Sequence, residues 1–312
     1  MTGESTAKSA TLAEPARDGL YVRGMGLVLF AGCVLSIAGI VVRLMDSAGE
    51  WQIIFYRSLA LLAALLLVIG RRNRGALVPA FRAAGLSGLV GGVCLSAAFT
   101  GFIFSLTHTT VANSLFLLSA SPFLAAVLGW LLLGERVRPA TWLAMCGAVA
   151  GVGVMVGEGF ATGGLFGDVT ALGSALGFAG FTVALRRGKS RDMLPTVCIA
   201  AVVSVLVAAV MLPASGGDFS ISQKDLALCM VLGAGQLGLG LGIYTLGSRH
   251  VPAAELTLLS LTEVVLGPIW VWFGVGEEPS GLTLLGGAIV LIAIAFHALT
   301  GLRRWRPPIG AV

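Results

Sequence analysis

The chain has 312 residues, 57% hydrophobic and only 11% charged, with a formal net charge of +5 and a mean hydropathy of +0.96. A soluble domain carries about 25% charged residues, and a bilayer core takes about 20 mostly apolar residues per helical crossing. The composition therefore excludes a soluble globular protein and predicts an all-α membrane protein that crosses the bilayer many times.

In chain order, residues 1–22 are polar and mixed in charge, and no short apolar core with a cleavage site precedes the first long apolar run. This predicts a disordered cytoplasmic tail, with the first helix kept in the mature protein. Ten spans follow, near 24–44, 51–70, 84–106, 109–134, 139–157, 166–186, 193–213, 226–247, 253–275 and 281–300, and then a basic tail at 301–312. With the amino terminus inside, 17 of the 20 Lys and Arg residues fall in inner segments, Arg43 and Lys224 are outer, and Arg57 lies within a span. Cytoplasmic loops hold the excess of Lys and Arg. The alternation thus predicts ten helices, both termini cytoplasmic, in the inner cell membrane. It also explains the positive charge without a nucleic-acid partner.

The five cysteines, Cys33, Cys94, Cys146, Cys198 and Cys229, all sit inside apolar runs and form no CxxC pair. Neither a disulfide framework nor a metal site is expected from them.

The chain repeats itself. GCVLSIAG at 32–39 returns as GSALGFAG at 173–180, an offset of 141 residues that also matches Gly92 with Gly233, Gly101 with Gly242, and LLS at 117–119 with LLS at 258–260. After a one-residue slip, GWLLLGE at 129–135 falls on WVWFGVGE at 270–277, pairing Trp130 with Trp272 and Glu135 with Glu277. A five-helix unit is used twice, over 23–157 and 158–300. Because five is odd, the second copy enters the membrane from the opposite side. Such inverted repeats suit alternating access, in which one half rocks against the other around a central site. Gly32, Ser36, Gly39 and Gly173, Gly177, Gly180 each form a small-residue face that lets another helix come close. That close approach serves static packing and moving interfaces alike.

These features, with WQIIFYRSLA in the second span, SPFLAAVLGWLLLGE closing the fourth and LTEVVLGPIWVWFGVGE closing the ninth, resemble the EamA-type members of the drug/metabolite transporter superfamily. The likeness covers about residues 24–300. It implies secondary transport of a small metabolite and leaves the substrate open.

A charge in a helix centre costs about 2.5–3.5 kcal/mol on insertion scales, so it faces a partner or a cavity. Arg57 in the second span and Glu263 in the ninth meet this description. Glu263 reads either as a titrating or amine-binding carboxylate or as a structural acid; Arg57 reads as a partner to carbonyls or to Glu263, or as a substrate contact. The resembling family often has a Pro in the fourth helix and a Glu in the ninth, a pattern that Pro122 and Glu263 match. Asn113, Ser119, Gln236 and Tyr244 are polar groups within spans four and eight, suited to orienting a ligand or to bridging helices. Phe116, Phe123, Trp270 and Trp272 could line a cavity, but the reading preferred for them is packing or the membrane interface. Glu135 and Glu277 each precede a helix, whose positive amino end favours a carboxylate. Glu255 sits at the inner end of the ninth span, with gating as its functional reading.

GKS at 188–190 lacks the first glycine of a Walker loop, since position 183 is Val. ATP-driven pumping is excluded on that ground. The histidines His108, His250 and His297 are scattered, without HExxH or GxSxG, so neither catalysis nor a cofactor is expected. The expected partners are a small-molecule substrate, protons as a candidate co-substrate, and the lipid bilayer. An amino acid or related amphipathic compound, exported, is the leading expectation; uptake of a nutrient or vitamin is the alternative, and a channel or scaffold is the reading of another class.

Overall fold

The computed structural model describes residues 14–72, 77–134, 137, 139–162, 164–188, 194–248, 251 and 253–302. Every regular element among them is helical: α1 (Glu14–Leu35), α2 (Ala38–Arg43), α3 (Glu50–Arg72), α4 (Leu77–His108), α5 (Val111–Leu118), α6 (Ser121–Leu133), α7 (Pro139–Thr162), α8 (Leu165–Gly188), α9 (Leu194–Ala214), α10 (Gln223–Met230), the π-helical α11 (Val231–Leu239), α12 (Gly240–Ser248), α13 (Ala253–Val275) and α14 (Gly281–Leu302). Eight stretches are long and apolar enough to cross a membrane, and two shorter apolar stretches, Thr262–Val275 and Gly281–His297, coincide with the ninth and tenth expected spans. Large apolar side chains such as Phe273, Leu86 and Val149 face outward. That is the reverse of a soluble surface and suits contact with lipid.

Three of the expected spans are interrupted. The first breaks between α1 and α2, where the Ser36 hydroxyl donates to the Cys33 carbonyl at 2.7 Å. The fourth breaks between α5 and α6, where Ser119 does the same to Phe116 at 2.6 Å and Pro122 opens the next segment. A serine hydroxyl that bonds back to its own helix bends it, and Pro supplies no amide hydrogen and fits the first turn of a new helix. The eighth span widens into α11, a nine-residue stretch containing three glycines. Wide turns of this kind recur at functional sites.

The packing obeys the repeat. The third span (α4) lies against the sixth (α8), and their counterparts under the 141-residue offset, the eighth (α10–α12) and the first (α1), lie against each other. The second span packs on its own counterpart, the seventh, and the fifth on the tenth. This reciprocity is what a twofold relation between two copies requires. The contacts approach backbone to backbone: a Cβ added at Gly177 would stand 2.7 Å from the Cys94 carbonyl oxygen, one at Gly151 2.6 Å from that of Gly286, and one at Gly247 2.8 Å from that of Gly24. Ser174 adds a hydrogen bond to the Ala98 carbonyl at 2.7 Å.

The repeated GWLLLGE and WVWFGVGE segments also end alike. Gly134 and Gly276 take φ of 68° and 72°, and their amides bond the Trp130 and Trp272 carbonyls at 3.2 and 3.1 Å. Glycine closes a helix in this left-handed conformation without the Cβ penalty.

Gly177→Ala drives a methyl into backbone atoms and is expected to destabilise the fold by about 1–3 kcal/mol. Gly173→Ala, on the same helix with nothing within 4 Å of the added Cβ, is expected to be neutral or slightly stabilising. Thermal melts of the two purified variants in detergent check the contrast.

Candidate functional site

A cavity of about 370 Å³ lies between the two repeats, with walls drawn from nine of the ten expected spans, all but the fifth. Six of the residues singled out from the sequence meet there: Arg57, Ser119, Pro122, Gln236, Tyr244 and Glu263. The rest of the wall is mostly apolar, with Phe99, Phe102, Phe178 and Phe181 on one side. The lining runs from the helix centres toward the end where α9 begins and α12 finishes, reaching Thr182, Leu194 and Tyr244.

Arg57 is 2% exposed. It donates to the Phe99 carbonyl at 3.1 Å, lies 5.3 Å from the centre of the Phe99 ring, and leaves its Nε without a partner. A cation over an aromatic face is stabilised by the ring quadrupole, so Phe99 holds the guanidinium twice. Among the described residues, no acid pairs with it. Glu263 is half-buried on the same cavity, within electrostatic reach of the Tyr244 hydroxyl, and no base pairs with it among the described residues. Gln236 donates from Nε2 to the Leu35 carbonyl at 2.9 Å, while its buried Oε1 has no donor among the described residues. The site thus offers opposite charges, unpaired with each other, in an apolar chamber.

The other expected residues lie elsewhere. Asn113 is outside the lining and donates instead to Asp168. Phe116 and Phe123 belong to two apolar clusters, Trp270 donates to Ser36 at the break in the first span at 2.8 Å, and the exposed Trp272 stacks on Phe273. Glu135 and the side chain of Glu255 lie outside the described residues. Glu277 corrects its expectation: it does serve a helix amino end, but that of α5, where its Oε1 accepts from the Val111 amide at 2.7 Å. The chain folds back there and brings the start of the fourth span to Glu277.

Glu277 also pairs with Arg43 at 2.6 Å, and Arg43 donates to the Thr109 carbonyl at 2.7 Å. These bonds tie together the ends of the first, fourth and ninth spans, at the end of the bundle opposite to the one the cavity approaches. Asp225, fully buried, accepts there from the amides of Asp46, Ser47 and Ala48 at 3.0–3.1 Å and from the Ser47 hydroxyl at 3.0 Å. It anchors the link between α2 and α3. Neither Asp168 nor Asp225 stands out in the sequence, because each follows an apolar boundary where an acid is ordinarily solvated.

A cysteine at position 182 in a Cys-free background is expected to react with small thiol reagents, and one at 113 to stay unreactive. Reaction at 113 at the same rate as at 182 would contradict the geometry of the lining.

The EamA-like transporter family model matches residues 22–157 and again 165–299. The chain is 25% identical over 284 residues to the pseudopaline exporter CntI of two Pseudomonas aeruginosa strains, covering 88% of this chain and 95% of theirs. It is 22% identical over 205 residues to the uncharacterised transporter YwfM of Bacillus subtilis, covering 65% and 69%. A solved crystal structure superposes with a TM-score of 0.63 over 90% of this chain and 99% of the other at 18% identity, a likeness of fold.

Proposed function

The chain belongs to the EamA-like transporter family, a multi-pass membrane protein rather than an enzyme, and from that premise we propose that it carries a small zwitterionic metabolite, an amino acid or a relative, by alternating access. The observation that carries this reading is the pair of opposite, mutually unpaired charges on one apolar cavity, Arg57 and Glu263. A cargo carboxylate would meet the fixed guanidinium, its amine would meet Glu263, and its apolar body would face the phenylalanines. Ser119, Gln236 and Tyr244 would orient it, and Pro122 would keep the broken fourth span open beside it. Export is the proposed direction, with the exporter among the relatives as its support.

Alternating access needs one end shut while the other admits cargo. The Arg43–Glu277 pair and the Thr109 and Val111 contacts tie one end together in this structure, and in this reading they are the closed gate. In the proposed orientation, ten spans form two inverted halves with both termini in the cytoplasm, and this closed end faces out. Cysteines placed at positions 75 and 161 are expected to label from inside and outside respectively; the opposite pattern would end the orientation. Replacing Glu277 by Gln removes the ion pair while keeping the shape. It is expected to speed labelling from the outside at a cysteine placed at 182, because an ion pair of this exposure contributes at most about 1 kcal/mol to the closed state.

The cargo is tested by comparing metabolites inside and outside deletion and overexpression cells, then by saturable counterflow in liposomes. Accumulation outside overexpressing cells supports export, and depletion from the medium supports uptake. Non-saturable flux would make the protein a channel. Glu263→Gln and Arg57→Met are each expected to cut counterflow of the identified zwitterion by tenfold or more, about 1.4 kcal/mol or beyond in free energy, while leaving insertion and folding intact. Wild-type flux in both would remove the charge pair from the site.

A further inference from the structure

Outside the cavity, the first turn of α8 holds an acid that the transport reading leaves unused. Asp168 is 0% exposed; carboxyls are rare within membrane helices, and those present face the bundle interior. Its Oδ1 accepts from the Asn113 amide nitrogen, and the Thr109 hydroxyl also interacts with the carboxyl. Among the described residues, its Oδ2 has no donor. Asn113 is 4% exposed, its Nδ2 is also 3.3 Å from the Thr109 hydroxyl, and its Oδ1 has no donor either. The two side chains thus meet through one hydrogen bond and bury one orphaned acceptor oxygen each.

Two acceptors cannot satisfy one another, and a buried polar atom without a partner destabilises the fold. A single proton would resolve both: on Asp168 Oδ2 it would make a donor for Asn113 Oδ1, and acid and amide would then hold each other by two reciprocal hydrogen bonds. We propose that Asp168 and Asn113 form a proton-binding site, separate from the cavity, in which one proton shared between Asp168 Oδ2 and Asn113 Oδ1 fastens α5 to α8. The proton comes from water at the nearby helix ends and returns there; nothing else is transferred.

The setting gives this proton consequences. Asn113 lies on α5, the half-helix that carries Leu115 and Leu118 of the cavity wall and whose first amide is held by Glu277. Fastening α5 to α8 therefore acts on the broken span beside the cavity. The titratable and charged groups around Asp168 among the described residues are Glu158 at the end of α7, which is within electrostatic reach and accepts from Thr283 at 3.2 Å, and His108 at the end of α4, which packs on Phe166. Arg43 and Glu277 stand one step away, on the Thr109 carbonyl and the Val111 amide. None of these bonds the free oxygen of Asp168.

The test uses the full chain in lipid nanodiscs, labelled with isotope-substituted aspartate, and infrared difference spectra across a pH titration without cargo. An isotope-sensitive carbonyl stretch of a protonated aspartic acid is expected in the wild type, lost in Asp168→Asn and kept in Glu263→Gln. In Asn113→Leu the midpoint of that band is expected to move by about one pH unit, a tenfold change in proton affinity. Absence of the band in the wild type, its persistence in Asp168→Asn, or an unmoved midpoint in Asn113→Leu would overturn the proposal. The last comparison holds even if Asp168→Asn does not fold. Exchange of potassium for sodium at constant ionic strength is expected to leave the midpoint in place; a shift would assign the pocket to sodium and overturn the proton reading.

Discussion

The fold depends on how closely helices of opposite repeats approach one another. Lipid tails are as apolar as leucine, so no hydrophobic drive pulls spanning helices together; van der Waals contact and interhelical hydrogen bonds do that work. Gly101, Gly177 and Ser174 bring the third and sixth spans together, and Gly240 and Gly247 do so for the eighth and first. Each of these contacts crosses from one repeat to the other. A bulkier residue at such a point separates the halves, and the cavity between them loses its walls.

Because the close contacts hold the scaffold, the elements near the cavity are free to be irregular. The first span breaks at Ser36, the fourth at Ser119, and the eighth widens around Gln236. Broken and widened helices release backbone groups, and these are tolerated within a membrane where protein or a cavity satisfies them. Leu35 illustrates the exchange, since its carbonyl, at the end of α1, is taken by Gln236. Trp270 reaches the same break through Ser36, so the ninth span touches both the break and, through Glu263, the cavity.

The polar groups divide between two tasks. Arg43, Glu277 and Asp225 are engaged with neighbouring chain ends, and each has a partner for its charge or a set of amide donors. Arg57, Gln236 and Glu263 keep unused capacity toward the cavity. A buried charge with no internal partner costs more than a paired one, and a cargo of complementary charge offsets that cost when it binds. This asymmetry separates the proposed transport site from structural ion pairs of similar appearance in the sequence.

Sequence alone determined the class of protein, because membrane crossing is a matter of composition and length, and it determined the repeat, because two copies of one packing problem keep similar small-residue patterns. It also singled out Arg57 and Glu263, since a charge within an apolar run is visible without any fold. It left Asp168 unseen and gave Asn113 a cavity role, because both lie near span ends, where exposure to water or burial depends on which helix covers them. Only the tertiary structure decided that Glu277 serves α5, that Phe99 rather than an acid holds Arg57, and that Asn113 turns to Asp168. Those outcomes rest on contacts between residues 42 to 166 positions apart in the chain, and such partners are set by how helices fold back on each other, which no local pattern encodes.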